Sequence, residues 1–125
     1  MSNTTELIDR YIGIWNEPDA DRRRATIAKL WQKDAVHFTK SLEARGYDAI
    51  EARVTKAYEQ YVGTGDFVFK AACDGDDHHN AVRFQWEMVP PAGGEVAASG
   101  SVFMILGDDG RIRSDYQFTD PTPHS

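Results

Sequence analysis

The sequence predicts an α+β domain in which helices pack on one face of a curved antiparallel sheet. Apolar residues recur at the 3.6-residue spacing of helices in the first part of the chain, and after residue 65 they alternate with a period of two. Short turn sequences separate the alternating segments, as in a meander of antiparallel strands. The chain length predicts one domain, residues 1–125, in which the proline-containing end 121–125 is a tail that we expect to fray.

Three helices are predicted from the apolar spacing. The first covers residues 4–16, and Pro18 ends it before a second helix that continues to about residue 33. The short link NEPD between them favours an antiparallel pair. Gly46 precedes the third helix, residues 47–62, which ends at the glycines that follow.

Five strands are predicted from period-two alternation. They cover residues 35–39, 67–73, 79–89, 95–107 and the final stretch GRIRSDYQF, residues 110–118. The sequences DGDD at 74–77, PPAGG at 90–94 and DDG at 108–110 supply the turns between the later strands.

Composition and charge exclude several classes of partner. A net charge of −6 repels a phosphate backbone, so no nucleic acid is expected, and the basic run RRR at 22–24 is predicted as a solvent-exposed helix face. Cys73 is the single cysteine, which excludes an intrachain disulfide and a multi-thiolate metal site. The sequence shows neither a long apolar run nor the pattern of a signal peptide. We therefore expect a cytoplasmic protein without a membrane partner.

The final strand has two different faces. Alternation places Arg111, Arg113, Asp115 and Gln117 on one side of it, opposite a set that ends in Tyr116 and Phe118. If the polar side lines a cavity, a buried carboxylate there has its pKa raised towards the range useful for proton transfer. The alternative is a surface carboxylate paired with one of the two arginines.

Three motifs carry a resemblance to a known family: the helix pair ending LWQKDAV, the helix start GYDAI, and the last strand after its GRI turn. Over nearly its whole length the chain resembles the nuclear transport factor 2-like superfamily and, within it, the SnoaL-like polyketide cyclase group. The resemblance implies a cone-shaped half-barrel of a curved, mostly antiparallel sheet packed on three N-terminal helices, with an apolar pocket inside. Ketosteroid isomerases, epoxide hydrolases, dehydratases, polyketide cyclases and non-catalytic proteins share this fold, so the fold alone leaves the function open.

The isomerase residues carry over only in part. The resemblance places the catalytic tyrosine at Tyr11, but the general base falls at Thr39 and the neutral acid near Val102, and neither side chain can do that work. Steroid isomerisation by that mechanism is therefore not expected. An epoxide hydrolase needs an arginine and two aspartates, and here Arg113 and Asp115 lie on the same strand without a second matching carboxylate.

The cyclase comparison gives the leading hypothesis. It places the acid of the last strand at Gln117, and Asp115 lies two residues earlier on the same face, where it can reach a similar site. His37, on another strand, can supply the imidazole, since histidine titrates near neutral pH. We expect Asp115 to act as general acid or base with His37 assisting. A lone strand histidine with a purely structural role is the alternative.

Aromatic side chains can line a pocket for a small apolar or aromatic ligand, and each can equally be core packing. The predicted ligand-binding residues are Tyr11, Trp15, Trp31, Thr39, Tyr58, Trp86, Val102 and Gln117. His78 and His79 fall in a polar turn and are predicted to be exposed, without a metal site.

The function predicted from the sequence is therefore a SnoaL-like enzyme that moves protons on an apolar carbonyl or polyketide-like substrate, with no cofactor. The alternative is a ligand-binding or dimeric accessory protein of the same fold. If the polar face of the last strand looks inward, Phe103, Tyr116 and Phe118 look outward and form an apolar patch. A homodimer through the outer sheet face is expected on that basis.

Overall fold

The structure, a computed structural model, describes residues 3–72 and 75–120. Cys73 and the tail 121–125, for which the sequence made predictions, lie outside the described residues. The helices are α1, Asn3–Asn16; α2, Ala20–Leu30; and α3, Gly46–Ala57, which continues as one π-helical segment, Tyr58–Val62. The strands are β1, Trp31–Thr39; β2, Leu42–Arg45; β3, Val68–Ala71; β4, Asp76–His78; β5, Ala81–Val89; β6, Ala98–Leu106; and β7, Ile112–Thr119.

The strands form one curved sheet in the order β2-β1-β7-β6-β5-β3, and β4 pairs with β5. The pair of β1 with β7 is parallel, and the other strand pairs of the described chain are antiparallel. The three helices cover one face of this open sheet, and the apolar core lies between them and the sheet. The predicted α+β class, with a mostly antiparallel sheet on three N-terminal helices, is confirmed.

Local chemistry explains the helix boundaries. Asp19 caps α2 by accepting hydrogen bonds from the backbone N–H groups of Asp21 and Arg22, at 2.9 and 3.3 Å. Gly46, the first residue of α3, has φ +85°, a left-handed conformation that favours glycine. None of the helices in the described residues is both long and apolar enough to cross a membrane.

Some predicted boundaries are wrong. The second helix ends at Leu30 and not near residue 33, because Trp31 adopts an extended backbone, with φ −104° and ψ 150°, and begins β1. Strands β2 and β4 were not predicted. Of the turn expected at 74–77, residue 74 lies outside the described residues, and Asp76 and Asp77 belong to β4. His79 and Asn80, with positive φ values of 50° and 64°, reverse the chain between β4 and β5.

The predicted exposure of the basic run is also wrong at its central residue. Arg23 is only 3% exposed. Its guanidinium donates to the Glu17 carbonyl at 2.8 and 3.2 Å and to the Thr55 hydroxyl at 3.0 Å, and it lies 4.8 Å from the centre of the Tyr58 ring. The side chain therefore connects the α1–α2 link to α3, which a solvated charge cannot do.

Candidate functional site

A bulge in β7 places Asp115 in the interior. Leu106 pairs with Ile112 and Ile105 pairs with Ser114, so that Arg113 is the extra residue, and it is exposed. Ile112 and Asp115 are both fully buried as a result. The predicted alternation therefore fails at Ile112 and Arg113, but it holds from Ser114 onwards.

Three side chains from two elements, α1 and β1, surround the Asp115 carboxylate. The Tyr11 hydroxyl of α1 donates to Oδ2 at 2.7 Å, and the indole Nε1 of Trp31, at the start of β1, donates to Oδ1 at 2.8 Å. Nδ1 of His37, in the middle of β1, lies 2.7 Å from Oδ2. Neither Arg111 nor Arg113 contacts this carboxylate; Arg111 pairs with Asp109 at 2.7 Å in the preceding turn. The expected alternative of a surface ion pair is thus not what the structure shows.

The cluster fixes the roles of its members. Burial, followed by the charge of Asp115 and the hydrogen bond to it, raises the pKa of Tyr11 well above its usual value, so the phenol keeps its proton and donates it. Nδ1 of His37 faces Oδ2 of Asp115, and an ionised carboxylate is only an acceptor. A neutral imidazole that donates from Nδ1 to this carboxylate keeps a lone pair on Nε2.

Two neighbouring rings carry buried nitrogen atoms without a hydrogen-bond partner in the described part of the chain. They are Nε2 of His37 and Nε1 of Trp15. The two ring centres are 5.7 Å apart. Since a buried polar group without a partner costs about 1–3 kcal/mol, each of these two atoms calls for a hydrogen-bond partner from outside the described chain, such as water or a ligand.

Arg53 of α3 extends this cluster and was not predicted from the sequence. Its guanidinium lies 5.2 Å from the Trp15 ring centre and donates from Nη2 to Oε1 of Gln117 at 2.8 Å. Its Nε is buried and has no partner among residues 3–72 and 75–120. Burial lowers the pKa of Arg53, and the nearby Tyr11, Tyr61 and Asp115 oppose that shift. The missed signal is a cation at helical spacing from Ile50 and Ala57, within the apolar face of α3.

A groove of about 1070 Å³ lies beside Arg53, where β1 and β7 end. The β1–β2 hairpin, α3 and the π-helical segment form its other walls. Thr39 and Gln117, both predicted ligand-binding residues, line the groove, and each lies two residues beyond a member of the Asp115–His37 pair on the same strand face. His37 and Asp115 thus lie deeper in the core than the groove, by one position on the inward face of each strand.

The remaining predicted residues divide into two groups. Trp15, Trp31 and Tyr11 adjoin the Asp115–His37 pair, as described above. Tyr58 lies apart from it against Arg23, while Trp86 packs against Phe69 at 6.0 Å and Val102 is fully buried in the core.

No metal site is present in the described residues. They contain no group of three or more histidine, cysteine, aspartate or glutamate side chains that could hold a metal ion. His78 and His79 are exposed, as predicted, and their Nδ1 atoms lie 3.2 Å apart.

Solved structures share this architecture over nearly the whole chain. A candidate isomerase of the SnoaL-like family from Agrobacterium tumefaciens str. C58 is 27% identical, with 97% of this chain and 100% of that chain covered and a TM-score of 0.86. A candidate polyketide cyclase from Sinorhizobium meliloti is 14% identical, with 90% and 93% covered and a TM-score of 0.68. A protein of unknown function from Exiguobacterium sp. 255-15, described as NTF2-like, is 18% identical, with 93% and 99% covered and a TM-score of 0.68.

No protein-family model matches the sequence, and no curated protein does. The structural likeness nevertheless covers 97% of this chain, and it is accompanied by 27% identity to the SnoaL-like protein from Agrobacterium tumefaciens. The resemblance predicted from the sequence motifs is therefore confirmed: the chain has the fold of solved structures that are described as SnoaL-like, as NTF2-like and as a candidate polyketide cyclase.

Proposed function

We propose that this protein is an enzyme that moves a proton on a small carbonyl compound, with His37 as the base. The observation that carries the proposal is the free Nε2 of His37 beside the free Nε1 of Trp15. Asp115 is a positioning residue here, because all three of its hydrogen bonds are to protein donors. The sequence-based hypothesis assigned the proton transfer to Asp115 itself; the geometry favours His37.

The proposed step is an enolisation. Nε2 takes a proton from the carbon next to the substrate carbonyl, and the electron pair of that C–H bond becomes an enolate whose oxygen accepts a hydrogen bond from Trp15 Nε1. Asp115 stabilises the resulting imidazolium through Nδ1–H. Return of the proton to another carbon gives an isomer. Alternatively the enolate carbon attacks a second carbonyl within the substrate; a C–C bond closes the ring, and the second carbonyl oxygen, now an alkoxide, takes the Nε2 proton of the imidazolium. In both cases the base ends as it began.

Access follows from the position of the groove. His37 is fully buried, so substrate reaches it only when the side chains at the groove floor move. The Arg53–Gln117 hydrogen bond lies between α3 and β7 at that floor. Closure over a bound substrate would exclude water, which strengthens each hydrogen bond to the enolate.

The proposal is tested by proton exchange in D₂O. Purified protein is incubated with a panel of ketones that contain an aromatic ring, such as 2-tetralone, and deuterium uptake next to the carbonyl is followed by NMR. We expect the wild-type protein to catalyse the exchange, and we expect its rate to fall by a factor of about 10²–10⁴ in His37→Asn. His78→Asn, which replaces an exposed histidine, is the matched control and keeps the wild-type rate. Exchange in His37→Asn at the wild-type rate would overturn the assignment.

A non-catalytic ligand-binding protein is the second candidate. The complete enclosure of Asp115 and His37 favours it, because the same hydrogen bonds can serve stability alone. The two functions separate in the same experiment: a binding protein takes up the panel ketones but does not catalyse deuterium exchange.

We further propose a homodimer through the outer sheet face. Three exposed aromatic side chains support it, with exposed fractions of 38% for Phe103, 37% for Tyr116 and 56% for Phe118. Tyr116 also stacks on Phe38, with ring centres 4.8 Å apart and planes at 11°. Light scattering after gel filtration measures the mass in solution: we expect that of a dimer for the wild type and that of a monomer for Phe103→Glu.

A further inference from the structure

We infer that the groove beside Arg53 binds a carboxylate carried by an apolar, aromatic ligand. The inference deepens the proposed function, since it names the substrate class of the same site. Its evidence is separate, however: it rests on Arg53 and the groove walls and does not require that His37 moves a proton.

Arg53 is a half-buried cation that lacks a direct contact with an acid in the described residues. Among residues 3–72 and 75–120 its guanidinium forms no ion pair, and it donates a hydrogen bond to the neutral amide of Gln117. Other arginines of the chain do have acid partners, as in the pairs Arg24–Glu51 and Arg111–Asp109. A buried charge is expensive unless it is paired, so this cation is set up for an anion from outside the chain.

The shape of the free donor set favours a carboxylate. The buried Nε–H of Arg53 lacks a partner, and a guanidinium presents its N–H groups in a planar fork that matches the two oxygens of a carboxylate. The guanidinium also lies over the Trp15 ring, 5.2 Å from its centre, and donates to Gln117. These two contacts restrict the side chain before a ligand arrives, which lowers the cost of binding.

The charge of the groove supports the same assignment. Its lining contains three cationic side chains, Lys40, Arg53 and Lys56, and one carboxylate, Glu43. Glu43 is itself paired with Arg45 at 3.1 Å. The protein as a whole carries a net charge of −6, so a cationic groove stands out from the rest of the molecule and attracts anions.

The apolar part of the lining defines the rest of the ligand. Leu42, Ala44, Ala49 and Ala52 line the groove together with the cations. A flat apolar body can pack against these side chains while its carboxylate lies on Arg53. The groove volume of about 1070 Å³ accommodates a ligand of two or three fused rings.

Calorimetric titration with matched ligands tests the inference. The probes are 2-naphthoate and its neutral amide, 2-naphthamide, which share one ring system. We expect wild type to bind the carboxylate at least about tenfold more tightly than the amide, because hydrogen bonds to charged groups are the stronger ones. Arg53→Gln should weaken naphthoate about 10- to 100-fold and change naphthamide less than about threefold. Lys29→Gln, an exposed charge on α2 outside the groove, is the control and should change neither.

A second variant keeps the test decisive if Arg53→Gln does not fold by circular dichroism. Arg53→Lys retains the charge but loses the planar fork, and it should bind naphthoate more weakly than wild type does. The two proposals fail separately in the wild-type protein: naphthoate binding without deuterium exchange would refute the proposed chemistry alone, and exchange without naphthoate binding would refute the carboxylate site alone.

Three outcomes with naphthoate and naphthamide would overturn the inference. They are equal wild-type affinity for naphthoate and naphthamide, wild-type naphthoate affinity in a folded Arg53 variant, and the absence of naphthoate binding altogether. Tighter binding of 2-naphthyl phosphate than of 2-naphthoate would replace the carboxylate by a phosphate as the preferred group and would also refute it.

Discussion

Replacement of Tyr11 by phenylalanine removes one hydrogen bond to a buried carboxylate and leaves the aromatic ring in place. The bond joins the phenol oxygen to Oδ2 of Asp115 at 2.7 Å, and both side chains are at most 1% exposed. The ring packs against Trp31 and Phe84, with centres 5.5 and 5.6 Å away, and phenylalanine keeps both contacts. The substitution thus isolates the hydroxyl group.

The magnitude follows from the kind of bond that is lost. A hydrogen bond to an ionised group contributes about 1.5–3 kcal/mol to stability. After the substitution Oδ2 still accepts from His37, so the acceptor is not left without a partner, and the cost lies towards the lower half of that range. We expect the free energy of unfolding to fall by about 1.5–2 kcal/mol, which lowers the melting temperature by roughly 5–10 °C for a domain of this size.

Urea unfolding followed by tryptophan fluorescence measures this change. The matched control is Tyr58→Phe, which removes a hydroxyl for which the described residues offer no hydrogen bond and retains the ring beneath Arg23. We expect less than about 0.5 kcal/mol for the control. A Tyr11 variant as stable as the control would refute the view that the carboxylate cluster is a stabilising, fully hydrogen-bonded unit.

Three further expectations concern pH and the backbone. Because the folded pKa of Tyr11 lies above the unfolded value of about 10, its contribution is complete below pH 10 and declines as pH rises further; urea unfolding at pH 9 and 11 should show a smaller decline in Tyr11→Phe than in wild type. Hydrogen bonds from Arg111 lower the pKa of Asp109, so the stability gap between wild type and Asp109→Asn should be present above about pH 4 and close as pH falls below it in acid unfolding curves. Gly100→Ala should destabilise by about 1–3 kcal/mol or more, because a methyl group there meets the carbonyl of the facing strand, whereas Gly13→Ala, with no atom within 4 Å, should stabilise α1 by about 0.5–1 kcal/mol in thermal unfolding.

The last strand shows which side-chain orientations the period-two pattern can predict and which it cannot. Period two and the family resemblance placed Asp115 and Gln117 on one face, and the structure puts the first in the core and the second at the groove. The same pattern misplaced Ile112, because a bulge arises from pairing with neighbouring strands and leaves no mark in a single strand's sequence. Trp31 was assigned to a helix for a related reason: helical spacing continues through it, and only its packing beside β7 makes it a strand residue.

Charged residues account for the other differences. Arg23 and Arg53 both lie on helices, where the usual expectation for arginine is solvent. One proved buried against Tyr58, and the other half-buried over Trp15. Sequence spacing alone cannot separate an exposed arginine from one whose apolar stem packs inward, since the decision depends on which aromatic ring lies beneath it in the fold.

The strongest argument for a ligand lies in what folding leaves unsatisfied. His37 Nε2, Trp15 Nε1 and Arg53 Nε are all buried without a partner in the described residues, and the rings and guanidinium that carry them are in mutual contact through Trp15. Each such atom costs about 1–3 kcal/mol, in a domain whose total stability is typically about 5–15 kcal/mol. Apolar side chains at the same positions would avoid that cost. A polar ligand of the kind proposed would supply hydrogen-bond partners to these three neighbouring groups. The proton-exchange experiment tests this at His37, and the naphthoate experiment tests it at Arg53.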